Sequence, residues 1–186
     1  RYNSALQFIP ISQITGTGDG NQFYSLFRDS KGFYWFGGAN GLIRFTDPAG
    51  ERHDAIWYRM GDKTYPLSHN RIRHIYEDKE QQLWIATDGS INRYDYATRQ
   101  FIHYNIVDNT GTYNTNWTYY IFEDTAGQLW ISTCLGGIFV VDKHKLMQST
   151  SGQYIAEQNY SVHNGLSGMF INQIIPDNEG NVWVLL

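Results

Sequence analysis

Apolar residues recur along the chain in short bursts, and nowhere in the sustained spacing of an amphipathic helix. The stretch 70–77 carries Ile72, Ile75 and Tyr76, and the stretch 21–28 carries Phe23, Leu26 and Phe27. Within each, a run of about six or seven residues reads as a strand. Leu83–Thr87 is a second strand of β-branched and aromatic character. A short Gly-containing turn leads to a third strand, Ile91–Tyr94, and Thr98–Tyr104 supplies a fourth. Between the first and second strands, three of the four copies of this unit carry an Asp-x-x-Gly turn, in which Asp caps the turn and Gly supplies a positive φ. The longest stretch without Gly or Pro, Leu67–Asp88, reads as two strands and a turn rather than a helix.

This unit repeats. Trp35, Trp84, Trp130 and Trp183 lie 49, 46 and 53 residues apart, each six residues after an aspartate: Asp29, Asp78, Asp124 and Asp177. An asparagine stands eight residues before three of these aspartates (Asn21, Asn70 and Asn116), and Met169 takes that place in the last copy. After the tryptophan, Gly41, Gly89 and Gly137 introduce an apolar run that closes on Asp47, Asp95 and Asp142. Four antiparallel strands in ~46–53 residues is the arithmetic of a propeller blade, whose sheets stack face to face. The expected fold class is therefore an all-β propeller of about three and a half four-stranded blades, a fragment of a larger propeller. Expected units are an outer strand at 1–15 belonging to a neighbouring blade, blades at 20–66, 69–112 and 115–164, and the start of another at 168–186. The four tryptophans are expected between blades as core, and the four aspartates at turns, because a residue present in every unit meets a need every unit shares. Glu77 and Glu123, just before the turn aspartates, are expected at solvated strand ends.

The run Asn70-Arg-Ile-Arg-His-Ile-Tyr-Glu-Asp78, with Leu83-Trp84-Ile85-Ala86-Thr87 and Arg93-Tyr94-Asp95, resembles the two-component regulator propeller repeat. The copy at 116–142 is similar, and the resemblance covers about residues 20–186. Gln81 departs from the usual glycine, and the fourth copy lacks the leading Asn and stops after its Trp strand. The resemblance implies the periplasmic sensor region of a hybrid two-component system of gut bacteria. There, paired seven-bladed propellers precede a β-sandwich, a membrane span, and kinase, receiver and DNA-binding modules. It also implies recognition of oligosaccharides. The Asp box of sialidases differs, with Asp and Trp five apart and Asp and Gly two apart, against six and three here.

Composition narrows the choice. Of 186 residues, 41% are hydrophobic, 16% aromatic and 17% charged, which excludes a disordered chain. No run approaches the ~18 apolar residues of a membrane helix. The net charge is −4, and the densest basic cluster, Arg71, Arg73 and His74, is followed by Glu77, Asp78 and Glu80, so nucleic acid is not an expected partner. Cys134 stands alone, so neither an intramolecular disulfide nor a CxxC site forms; it is expected as a small packed residue. His53, His69, His74, His103, His144 and His163 are scattered, and His69 and His74 fall on opposite faces of any shared strand, so no metal and no cofactor are expected. No nucleophile elbow or phosphate-binding loop occurs. Asn116-Trp117-Thr118 fits a glycosylation sequon. A chain that begins at Arg1 and ends on Trp183-Val-Leu-Leu186 reads as processed or excised.

Variable loops on a common scaffold are where a site is grafted. In propellers, ligands usually meet the loops before the inner strands and those between second and third strands. Here these are 17–22, 65–71, 111–117 and 163–169, with 38–41, 88–90 and 134–136. The candidate ligand-binding residues are Asn40, Tyr65, His69, Arg71, Asp88, Tyr113 and Trp117. Aromatic rings suit sugar faces, and Arg and His suit the anions of acidic glycans. The expected function is a non-catalytic, oligosaccharide-binding sensor, periplasmic and joined to a membrane only through segments outside this sequence. The alternatives are a propeller polysaccharide lyase or glycoside hydrolase, and a protein-binding or dimerisation scaffold. Exposed blade edges predict self-association of the isolated segment.

Overall fold

The computed structural model describes residues 22–46, 55–64, 66–150 and 153–186. Asn21, Asp47, His53, Tyr65 and the expected outer strand at 1–15 lie outside the described residues.

Three antiparallel meanders follow one another. The first joins β1 (Phe23–Arg28), β2 (Tyr34–Gly38), β3 (Gly41–Phe45) and β4 (Ile56–Tyr58). The second joins β5 (Ile72–Glu77), β6 (Leu83–Thr87), β7 (Ser90–Asp95) and β8 (Gln100–Tyr104). After a short β9 (Ile106–Val107) come β10 (Thr118–Glu123), β11 (Gln128–Thr133) and β12 (Ile138–Asp142). Helix α1 (Lys143–Gln148) and β13 (Tyr154–Ile155) then intervene before β14 (Gln158–Tyr160) completes the third sheet. A two-stranded sheet of β15 (Gln173–Pro176) and β16 (Val182–Leu185) follows. The innermost strands lie side by side, β1 against β5, β5 against β10, and β10 against β15. These are the stacked blades of a propeller.

Helix α1 is a departure from the strands-only expectation. Six residues are too few to show a helical period, but Asp142 caps the helix, its side chain accepting from Lys145 N at 3.0 Å. Beyond α1 the chain returns toward the second blade, and β13 pairs in parallel with β9.

The core lies between blades. Trp35, Leu42 and Tyr58 of the first blade pack with Ile72, Leu83, Ile85 and Tyr94 of the second. Trp84 and Ile91 of the second pack with Ile121, Leu129 and Phe139 of the third. Full burial of each such side chain stabilises by about 1.5–3 kcal/mol. A Cβ on Gly37 would overlap Ile72 Cγ2, so this position of β2 must stay bare for the next inner strand to approach. Trp183 departs from the core expectation. It is 65% exposed, against 0% for Trp35 and Trp84, and shares an uncovered face with Leu185.

The spacing of six between Asp and Trp has a physical cause. One carboxylate oxygen of each repeat aspartate accepts the indole Nε1–H, at 2.7 Å for Asp29–Trp35 and 2.9 Å for Asp78–Trp84, Asp124–Trp130 and Asp177–Trp183. The other oxygen accepts the backbone N–H four residues on. Four such bonds hold Asp177 at a pKa of about 2, with the Asn181 side chain the foremost of them. The turn residue three after each Asp has positive φ: Gly32, Gly127 and Gly180, and also Gln81 at φ 62°.

Two expectations need correction. Glu77 and Glu123 are not solvated strand ends but latches between blades. Glu77 accepts the Ser30 backbone N–H at 2.9 Å, and Glu123 accepts that of Lys79 at 2.8 Å, each from the preceding blade's turn. The Glu123 carboxylate, itself buried, satisfies an N–H in a partly buried turn, whereas the Glu77–Ser30 bond is exposed. The glycine that opens the third strand has its counterpart at Ser90 rather than Gly89: Gly41, Ser90 and Gly137 all have positive φ. Ser90 uses its side chain well there, since its hydroxyl donates to the Tyr104 carbonyl at 2.9 Å.

Candidate functional site

One end of the propeller collects the loops before the inner strands and the second-to-third-strand turns. Within blades they are tied by Ala39 N to Gln22 O at 2.8 Å, Asp88 N to Arg71 O at 3.2 Å and Cys134 N to Trp117 O at 3.0 Å. Between blades, Trp117 N donates to Asp88 O at 3.0 Å and Ile171 N to Thr133 O at 3.0 Å.

At this end three of the inner strands, β1, β5 and β10, carry a β-bulge. The pairing skips a residue between Phe23 and Ser25, between Ile72 and His74, and between Thr118 and Tyr120. The skipped residues are Tyr24, Arg73 and Tyr119. A bulge bends its strand and re-aims one side chain without disturbing the pairs on either side. Three successive blades thus each present one extra side chain at the same level.

Charge and rings meet there. The Arg73 guanidinium grips Asp88 with two N–H groups, Nε to Oδ1 at 2.7 Å and Nη2 to Oδ2 at 3.3 Å. Its flat face lies 4.5 Å from the centre of the Tyr119 ring. Phe170 packs edge-on against Tyr119, with ring centres 5.3 Å apart. Burial opposes the charge on Arg73, but the Asp88 bond and charge outweigh it, and the pKa is raised above its ordinary value. Arg71 Nε lies 3.7 Å from the same Asp88, and its side chain is about half exposed. Cys134, beside this pair, is buried, and burial pushes its thiol pKa up.

Trp117 is the residue that sequence periodicity could least explain. Its φ is 54°, in the left-handed region that a bulky side chain seldom adopts. The Asp88 carbonyl and the Cys134 N–H hold its backbone there. Its ring is 49% exposed and borders a 310 Å³ cleft with Tyr113, Asn116 and Leu135. A strained backbone that sets an aromatic ring into solvent is a feature of binding sites rather than of cores.

The candidates from sequence divide accordingly. Arg71, Asp88, Tyr113 and Trp117 come together at this end. His69 turns inward to its own loop, where Nδ1 accepts the Arg71 backbone N–H at 3.0 Å, so it positions Arg71. Asn40 sits in the first blade's turn, where its backbone carbonyl accepts from Arg59 Nε at 3.1 Å; of the four brought together, only Tyr113 and Trp117 line the cleft itself. Tyr65 lies outside the described residues. Sequence reasoning missed Tyr24, Arg73, Tyr119, Phe170 and Leu135. A signal existed for the first three, which all stand five residues before the repeat aspartate. A larger cleft of 650 Å³ lies on the other side of Tyr113, against β14, lined mostly by polar residue types, with Asp108 satisfied by its own loop. Among the described residues no cluster of His, Cys, Asp or Glu suits a metal, and no helix is long and apolar enough to cross a membrane.

These repeats and stacked blades define a propeller, and the family model described as two component regulator propeller matches residues 17–40 and 66–89. Over its full length it is 99% identical to part of the extracellular domain of the hybrid two component system BT4673 from B. thetaiotaomicron, with a TM-score of 0.93. A second structure of BT4673, described as a one component system, matches at 98% identity and a TM-score of 0.92. The chain spans 25% of the length of either. The extracellular domain of BT3049 from the same organism matches at 23% identity and a TM-score of 0.72, over 96% of this chain and 23% of that one. Virginiamycin B lyase from Staphylococcus aureus matches at 14% identity and 0.59, over 88% and 48%. The last two show the fold alone. No curated protein matches the chain.

Proposed function

We propose that this chain is part of a non-catalytic, oligosaccharide-binding sensor in the periplasm, whose signal passes to kinase and transcription-regulating domains outside these residues. One observation carries the reading: Trp117, a large ring held in left-handed backbone and half exposed at the loop-bearing end. An exposed ring of this kind suits the apolar face of a sugar. Similarity to the BT4673 extracellular domain supports a sensing role. A hydrolase would need two carboxylates free to face a substrate, whereas Asp88 at this end is committed to arginine. The likeness to a lyase is one of fold.

Titration calorimetry of the BT4673 extracellular domain with neutral and acidic oligosaccharides tests the reading. Binding without new reducing ends or unsaturated products is expected. Trp117→Ala should weaken binding at least about tenfold. Turnover of the sugar, or an unchanged affinity in Trp117→Ala, overturns it.

A further inference from the structure

The pairing of two arginines with one aspartate carries a statement about the ligand's charge. Arg73 uses its fork on both oxygens of Asp88, and Tyr119 covers its face. Arg73 is therefore spent on structure. Arg71 shares the same carboxylate only loosely, at 3.7 Å, a distance that is an ion pair and not a hydrogen bond. Its guanidinium is about half exposed, while the Asp88 side chain is nearly covered. Two guanidinium groups against one carboxylate leave one positive charge uncompensated within this group, in a chain of net charge −4. The backbone of Arg71 is fixed on both sides: its N–H is held by His69 and its carbonyl by the Asp88 N–H. Asp88 in turn fixes Trp117 through its own carbonyl. One residue thus ties together the exposed cation and the exposed ring.

We infer that the oligosaccharide bound at this end carries an anionic group, a carboxylate or a sulfate, that Arg71 receives while a sugar ring lies on Trp117. Two oxygens on one centre, as in a carboxylate or a sulfate, accept two parallel N–H bonds from a guanidinium, a match that neutral hydroxyls do not offer. Pairing Arg71 with the ligand leaves the Arg73–Asp88 pair intact, so binding needs no buried bond to break. This inference rests on the proposed sugar-binding role of the same face.

The test compares three sets of oligosaccharides on the BT4673 extracellular domain: uronate-containing, sulfated and neutral, at low and at high sodium chloride. Acidic sugars should bind with an affinity that falls severalfold as salt rises. Arg71→Gln should weaken that binding roughly tenfold or more, with Arg71→Lys intermediate and the melting temperature unchanged. Binding to the uronate or the sulfate set alone identifies which anion is read. Neutral sugars binding as well as acidic ones, with Arg71→Gln silent and Trp117→Ala damaging, would overturn the anion while leaving the sugar site in place. No binding by any set would overturn both.

Discussion

Lys143 offers a sharp quantitative test of how the blades are joined. It is the first residue of α1, wholly buried, yet its Nζ lies 2.7 Å from Glu123 Oε1 and 3.3 Å from Asp78 Oδ2. It follows the closing aspartate of its blade, as Tyr96 follows Asp95 one blade earlier, and Tyr96 donates its hydroxyl to Asp29 at 2.8 Å. The same position thus reaches back to the repeat aspartate of the previous blade in both cases, once with a charge and once without. Lys143→Met keeps the stem and removes the ammonium, leaving two buried carboxylates without their cation. Breaking a buried pair in this way costs about 3–5 kcal/mol. Asp78 retains the Trp84 indole and two backbone N–H groups, and Glu123 retains the Lys79 N–H, so the lower end, about 3 kcal/mol, is expected. Glu80, half exposed at 3.6 Å, adds little. Tyr96→Phe loses one hydrogen bond to a carboxylate, about 1.5 kcal/mol. Urea unfolding of the extracellular domain, followed by tryptophan fluorescence, reads both as shifts in midpoint at constant slope. Adding Glu123→Gln to Lys143→Met should recover about 1 kcal/mol, since the two share one site. A Lys143→Met cost no larger than that of Tyr96→Phe would refute the account of Lys143 as the counter-charge to two buried acids.

Two further outcomes follow from single side chains. His74 stacks on Tyr120 with ring centres 3.9 Å apart, and its Nδ1 accepts the Ile121 N–H at 3.3 Å; burial lowers its pKa to about 4. A histidine depressed below its unfolded value of about 6.5 contributes its full stability above that pH and loses it as pH falls toward 4, by up to about 3 kcal/mol. His74→Asn keeps an acceptor but cannot titrate, so its unfolding midpoint should fall less than that of the native protein between pH 7 and 4; parallel curves would contradict this. Gln81 occupies a turn position with φ 62° where the other three copies have glycine, so Gln81→Val should unfold about 1–2 kcal/mol more easily than Gln81→Gly, and equal midpoints would show that the turn is not held in that conformation.

The scaffold was legible in the sequence because it repeats. Asp and Trp recur at one spacing, and each recurrence marks a hairpin of the same shape. The bond between them was not legible, because spacing shows that two residues matter together without showing which atoms touch. Glu77 and Glu123 were misread for a related reason: both are charged and next to a turn, and only the stacking of blades brings a donor to each. Ser90 hid the register of the third strand, since a glycine one residue earlier drew the alignment to itself. The candidate site was half legible. Arg71, Asp88, Tyr113 and Trp117 lie in loops whose lengths differ between units, and that variation pointed to them. Tyr24, Arg73 and Tyr119 stand inside the strands, in a position that the repeat holds constant while its residue changes, and a search for matching residues passes over such a place.

That constancy of position has a consequence for how such proteins diversify. A bulged residue has no directly paired partner across the hairpin, so its identity is less tied to the pairing of its own blade than that of its neighbours. Each blade then contributes one letter to the axial surface, and the letter can be rewritten by a single codon change. A lineage can explore many binding surfaces, one substitution at a time, while every intermediate keeps the same architecture.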